Sequence, residues 1–278
     1  QLLPIENGDF ATDVAEISFD QIPMLDSASA NVLANRKLGE LSELVSQFEV
    51  YSDSFQINYQ NRPVRVTYLN YGDFFKWWNN QKAGIPAYMV IDMVTQEVTV
   101  QRLDEGIKYS PSEYFFRDID RYLRFKYPTK MFTDVNFEVN EEGEPYWVAT
   151  AVTKKVGLFG GEDAVGAVLV NAVTGESTYY DVADVPQWVD RVYTAQLILE
   201  QYNYYGLYQG GFWNSLFGQS GCTEATSYYN YIAQDDDVWL YTGITSVTGD
   251  RGNIGFILVN QRTKEARYYP CAGADEAS

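Results

Sequence analysis

The sequence predicts an α+β fold built of tandem modules, each an antiparallel sheet of hairpins covered on one face by a helix. Three observations lead to it. First, one phrase occurs three times: an apolar strand ends in Asp or Asn, two residues pass, then Thr, one residue, Glu and a second strand. The copies are Asp92-Met93-Val94-Thr95-Gln96-Glu97, Asn171-Ala172-Val173-Thr174-Gly175-Glu176 and Asn260-Gln261-Arg262-Thr263-Lys264-Glu265. They start at 92, 171 and 260, so the intervals are 79 and 89 residues. A period that long suggests repeated modules rather than one enzyme built around one cleft. Second, a helical pattern and further strand-like segments precede each copy. Third, the chain is 46% apolar and 16% aromatic, with 23 tyrosines, enough for folded sheets whose rings are half buried.

Residues 1–25 read as an extended lead-in broken by Pro4, Gly8 and Pro23. The first module, 26–109, opens with a helix over 26–48. Asp26 or Ser27 caps it, and Val32, Leu33, Leu38, Leu41, Leu44, Val45 and Phe48 fall near helical spacing. Strands at 55–59 and 64–68 form a hairpin around Gln60-Asn61-Arg62. A short helix at 71–81 carries Phe74, Phe75, Trp77 and Trp78, and the first repeated hairpin closes the module.

The second module, 110–183, opens with Ser110-Pro111-Ser112-Glu113. This reads as a capping box with Pro at the first helical position, so a helix is predicted from there to Lys126. Strands at 135–139 and 145–152 follow around Asn140-Glu141-Glu142-Gly143, then a glycine-rich turn over 157–161 and the second repeated hairpin. The third module, 184–278, is expected to begin a helix at Asp184 that runs to Tyr204. An insertion over 206–221, strands at 228–233 and 238–245 and the third repeated hairpin complete it.

Lys and Arg total 20 against 38 Asp and Glu, a formal net charge of -18. That balance repels nucleic-acid backbones and anionic lipid surfaces, so no nucleic-acid partner is expected. The apolar runs are too short to span a bilayer, and no direct membrane insertion by this segment is expected. The chain begins Gln1-Leu2-Leu3-Pro4 and is read as a piece of a longer parent. Cys222 and Cys271 are the only cysteines, and the chain has no His, so the usual zinc spacings are missing. The two cysteines are either a disulfide closing the third module or two separate buried thiols.

The block from Val135 to Val182 resembles a PepSY-type module. The likeness rests on the strand pair around Glu141-Glu142-Gly143-Glu144-Pro145, the aromatic strand Tyr146-Trp147-Val148, and Val168-Leu169-Val170-Asn171 followed by Thr174-Gly175-Glu176. In the first and third copies Gln96 and Lys264 stand where the family's pattern has Gly. The resemblance implies a non-catalytic module outside the cytoplasm, carried by a membrane-anchored parent of Gram-positive type. It implies a protein partner in the cell envelope, and regulation of a peptidase as one possible task.

The residues add little chemistry. The repeated Asp/Asn-x-x-Thr-x-Glu clusters hard oxygens, but it reads better as a turn in which the first side chain bonds the backbone. Asp235-Asp236-Asp237 lacks the spacers and glycine of a calcium loop. Without His there is no Ser-His or Cys-His pair. No catalytic residue, metal ligand or cofactor is therefore assigned. A carboxylate-pair enzyme acting on glycans stays open as an alternative, as does a glycan-binding module with aromatic platforms. The expected contact surface is the insertion, through Phe212, Trp213 and Phe217.

Overall fold

The computed structural model describes residues 3–8, 25–156, 160–208, 222–234, 237–247 and 253–270. The fold is mixed α+β, mostly antiparallel sheet with a few helices. By packing it divides into two compact units. One comprises Gln1–Glu16, Val152–Val165 and Asp190–Ser278; the other comprises Ile17–Ala151 and Gly166–Val189.

In the second of these units the chain forms α1 (Ser27–Gly39), the short α2 (Ser42–Val45), β2 (Phe48–Val50), β3 (Phe55–Tyr59), β4 (Arg62–Tyr71), α3 (Phe74–Asn80), β5 (Ile85–Asp92) and β6 (Val98–Ile107). Strand β1 (Ile5–Asn7) precedes them and belongs to the other unit. The first sheet runs β2-β4-β5-β6, with β3 pairing β4 along 62–66 and β2 along 69–71. Asp26 caps α1 as expected, its carboxylate accepting from Ser29 N at 2.7 Å. The helix ends at Gly39, short of the predicted 48, and Phe48 joins a strand instead. The β3–β4 turn places Gln60 and Asn61 at φ 52° and 58°, the paired left-handed conformation of a two-residue hairpin. β4 then continues through Tyr71, so α3 starts three residues later than predicted.

A 3₁₀ turn (Phe115–Arg117) and α4 (Ile119–Lys126) lead into β7 (Met131–Val139), β8 (Pro145–Val156), β9 (Gly160–Asn171) and β10 (Ser177–Asp181), in the order β10-β9-β8-β7. β8 and β9 each contribute residues to both units. The second predicted helix is corrected here. Ser110-Pro111-Ser112-Glu113 does not start it; the cap is Asp118, which accepts from Arg121 N at 2.8 Å. The Ser110 carbonyl instead accepts from Glu113 N and Ile119 N, closing 110–119 into a compact loop.

The first two sheets share one apolar core. Ala30, Ala34 and Leu38 of α1, Ile119 and Leu123 of α4, and Val66, Tyr88, Met89, Phe137, Trp147, Val168 and Val170 of the strands all belong to it. Tyr68 lies edge-on to Trp147 at 4.8 Å and 5.3 Å from Phe137. Each such fully buried large side chain contributes about 1.5–3 kcal/mol of burial free energy.

The other unit holds α5 (Ala195–Tyr208), β11 (Thr223–Gln234), β12 (Asp237–Ser246), β13 (Asn253–Asn260) and β14 (Ala266–Pro270), with sheet order β1-β14-β13-β12-β11. β1 pairs with β14 in parallel, so part of the predicted lead-in is a sheet strand. The third predicted helix is also corrected: α5 starts at Ala195, eleven residues after Asp184. The reason is distant in sequence. Gln261 holds Tyr193 on both sides, its carbonyl accepting from Tyr193 N at 2.7 Å and its Nε2 donating to Tyr193 O at 3.1 Å. The Tyr193 N–H, taken outward in this way, is lost to a helix running through it. Thr194 then caps the helix, its Oγ1 accepting from Leu197 N. Gly206 allows α5 to approach β11, since a Cβ there would lie 2.0 Å from the Thr223 carbonyl oxygen.

The repeated phrase has one structure in all three copies. Each joins the third and fourth strands of a four-strand order: β3-β4-β5-β6, β7-β8-β9-β10 and β11-β12-β13-β14. The Asp92, Asn171 and Asn260 side chains each accept from the backbone N–H two and three residues on. Thr95, Thr174 and Thr263 accept from the following Glu N–H. Met93, Ala172 and Gln261 each donate to the carbonyl near the start of the second strand, at Pro63, Pro145 and Val238. The fifth residue is left-handed in every copy: Gln96 at 60°, Gly175 at 75° and Lys264 at 68°.

Candidate functional site

The side chains that stand out lie where α3 meets the 110–119 loop. Asp73 caps α3 by accepting from Phe75 N and Lys76 N, both at 2.9 Å. A seven-residue helix carrying Phe74, Phe75, Trp77 and Trp78 can bury only one face. Trp77 is the one turned inward, at 3% exposure. Its indole Nε1 donates to Glu113 Oε2 at 2.7 Å, and the Tyr71 hydroxyl donates to Glu113 Oε1 at 2.9 Å. Glu113 is thus a buried carboxyl with both oxygens engaged. Burial pushes its pKa above the ordinary glutamate range despite the two donors. Burial, reinforced by Glu113, also raises the Tyr71 phenol.

Over this anchor the other rings face outward. Phe75 is 77% exposed, Trp78 60%, Phe115 61%, Phe116 74% and Phe125 70%; Phe74 and Tyr114 are also exposed. The rings fall into two contact groups, one around Phe74 and Trp77 and the other made by Phe116 and Phe125. Phe74 lies 6.0 Å from Phe75, 6.3 Å from Trp78 and 5.2 Å from Tyr114, while Phe116 lies 6.0 Å from Phe125. Phe115 has φ 60°, a conformation that costs a bulky residue on the order of 1–3 kcal/mol. The loop spends that strain at a position where an aromatic ring is presented to solvent. A cleft of about 480 Å³ beside the patch is lined by Tyr71, Asp73, Glu113, Tyr114, Asp118 and Arg121, among others.

Charge is uneven as well. Residues 73–82 and 113–130 hold seven Lys and Arg against four Asp and Glu; the rest of the chain holds thirteen against thirty-four. The aromatic face is therefore a locally basic zone on an acidic protein. Lys76 is paired with Asp73 at 3.6 Å, and Arg117 donates to the Gln81 carbonyl at 2.8 Å.

The three carboxylates around the cleft all have structural tasks. Asp73 and Asp118 cap helices, and Glu113 holds Tyr71 and Trp77. In the other unit a buried ion pair joins Asp163 to Lys264 at 2.6 Å; Gln201 adds a bond to Asp163 at 3.0 Å, and the ammonium lies 5.4 Å from the Tyr193 ring centre. Asp237, the described member of the acidic run, is gripped by Arg262 at 2.6 and 2.8 Å and by Asn260 at 2.7 Å. The turn oxygens of Asp92, Asn171 and Asn260 are taken by backbone N–H groups, as the turn reading expected. Among the described residues no group of three or more His, Cys, Asp or Glu is placed to hold a metal ion, and no helix is long and apolar enough to cross a membrane.

The expected contact residues Phe212, Trp213 and Phe217 lie outside the described residues, as do Cys271 and the glycines at 157 and 218. Cys222 is buried, its thiol donating to the Leu207 carbonyl at 3.4 Å. The aromatic face went unnoticed in the sequence although a signal was present. Four aromatics in a helix of two turns, and the doublet Phe115-Phe116, exceed what those short elements can bury. No protein-family model matches the chain, and no curated protein and no solved structure matches it.

Proposed function

We propose that this chain is a non-catalytic contact module of a membrane-anchored protein, working outside the cytoplasm, and that its aromatic face is where contact is made. The observation that carries the proposal is the exposure of Phe75, Trp78, Phe115, Phe116 and Phe125 on α3, the 110–119 loop and α4, three elements that follow or contact one another. Clustered exposed apolar side chains of this kind mark interaction sites. The location and the anchor follow the resemblance to PepSY-type modules, and so does the narrower reading that a peptidase in the cell envelope is what the module regulates. Hydroxyl-radical footprinting tests the contact face. In envelope preparations of the host, labelling of Phe75, Trp78 and Phe116 should fall relative to the purified chain, while Tyr229 and Tyr241 should label as before. Equal labelling in both settings would overturn the proposal.

One observation favours a second reading. Glu113 is a carboxyl of raised pKa in a cleft that Asp73 and Asp118 also line, which is the composition of a carboxylate-pair glycan hydrolase. Its test is hydrolysis of cell-wall glycan by the intact chain and by Glu113→Gln. Turnover that vanishes in the variant would replace the contact proposal, and lack of turnover by the intact chain removes this reading.

A further inference from the structure

Taking the aromatic face as the contact surface, we propose that what it rests on is an anionic lipid surface, into which its rings dip at the headgroup level without spanning the bilayer. Three features of these neighbouring elements point there. The most exposed rings are Phe and Trp, and they project from short elements. Such rings gain free energy in the interfacial layer, where an amphipathic aromatic surface settles. Basic side chains flank them on the same elements: Lys76 on α3, Lys82 just beyond it, and Arg121, Arg124 and Lys126 on α4. Each Lys or Arg close to an anionic leaflet contributes about 1 kcal/mol of attraction. Finally, the charge asymmetry sets the orientation. The acidic remainder of the chain is repelled from the same leaflet, so only this face can approach it, and at physiological salt the repulsion from parts more than about 8 Å away is screened.

The α4 geometry agrees. Ile119 and Leu123 point into the core, while Arg121, Arg124 and Phe125 are exposed, so one helix presents both charge and a ring outward. Phe125 lies against Phe116, which joins α4 to the loop that carries the strained Phe115. The anchoring of Trp77 by Glu113 keeps α3 at a fixed angle beneath its outward rings. A lipid surface suits a broad apolar face ringed by cations better than an acidic protein would, because the rings need an apolar phase and not a matching set of pockets.

The test uses the purified chain and vesicles of defined composition. Cosedimentation should be strong with phosphatidylglycerol-containing vesicles and weak with pure phosphatidylcholine. The triple variant Phe75→Ser, Trp78→Ser, Phe116→Ser should lower vesicle affinity about tenfold or more, at an unchanged melting temperature, because these side chains are exposed. Arg121→Glu with Arg124→Glu should lower it by a similar factor, and raised salt should weaken the intact chain's binding in parallel. Failure to sediment with anionic vesicles, or sedimentation indifferent to both variants, overturns the lipid proposal. If footprinting still shows protection in the envelope while vesicles fail to bind, the contact face stands and its partner is a protein. If footprinting shows none, the contact reading itself falls.

Discussion

Glu113 accepts from Tyr71 and Trp77 while nearly out of solvent, and its chemistry follows from that position. Its protonated form is favoured in the folded state. The folded chain therefore binds the proton more tightly than the unfolded chain, whose value is near 4.5. Stability from this group is greatest below that value and falls as pH rises through the window up to the raised pKa. Glu113→Gln keeps an acceptor for Trp77 and offers an amide donor to Tyr71, and it does not ionise. Its melting temperature relative to the parent should therefore rise from acidic to neutral pH; a constant or falling difference contradicts the assignment. Glu113→Ala leaves the Trp77 N–H and the Tyr71 hydroxyl without their partner and should cost about 1–3 kcal/mol at acidic pH, the cost shrinking as pH rises and the parent loses this group's contribution. Denaturant melts of the two variants separate these outcomes.

The repeated turn shows how one element takes three different fifth residues. At Gly175 a Cβ would lie 2.3 Å from the Tyr109 ring, and φ is 75°, so both space and backbone demand glycine. Gln96 and Lys264 hold the same left-handed conformation at a cost of roughly 1 kcal/mol each. Gln96→Gly should therefore stabilise the chain by about 0.5–1 kcal/mol. Lys264→Gly relieves the same strain but leaves Asp163 buried without its ammonium, and should destabilise by about 3–5 kcal/mol. Opposite signs for the two substitutions in urea melts are the expected result; equal signs would mean that the backbone alone decides. These turns were legible in the sequence because the Asp or Asn bonds lie within three residues of it. The helix starts were not. Ser110-Pro111-Ser112-Glu113 has the local pattern of a cap, but Glu113 is taken by Trp77, thirty-six residues earlier. Residues 186–194 have helical spacing, but Tyr193 is held by Gln261, sixty-eight residues later. A distant partner of that kind leaves no mark on local periodicity. The aromatic face was half legible: the residues of α3 were placed on a helix, but their exposure depends on which of them Glu113 draws inward.

At the scale of the whole molecule, the order of helical and strand-like segments foretold a mixed α+β protein with mostly antiparallel sheets. The sharing of one core by the first two sheets was not foreseen, because the repeats suggest self-contained modules. The contacts that merge them are long-range ones, the packing of Tyr68 and Tyr88 on Phe137 and Trp147 and the Tyr88 hydroxyl bond to the Gly143 carbonyl at 2.8 Å. Charge acts at this scale too. A formal net charge of -18 repels itself in the compact state, and salt relieves the repulsion. Moving from low to physiological ionic strength should raise the melting temperature by a few degrees, by roughly 2–4 °C. A fall would show that attractive pairs such as Asp163–Lys264 outweigh the repulsion.

The parallel pairing of β1 with β14 has a consequence for manufacture. Ile5, Glu6 and Asn7 line up with Ala266, Arg267 and Tyr268, almost the whole length of the chain away. During synthesis β1 emerges well before its partner exists, and this pairing waits until β14 has been made. Closing so wide a loop is slow, and until it happens the outer side of β14 is an open template for any passing extended segment. The β1–β14 pairing is thus among the most non-local in this fold, and β14 is most open to mispairing before that join is made.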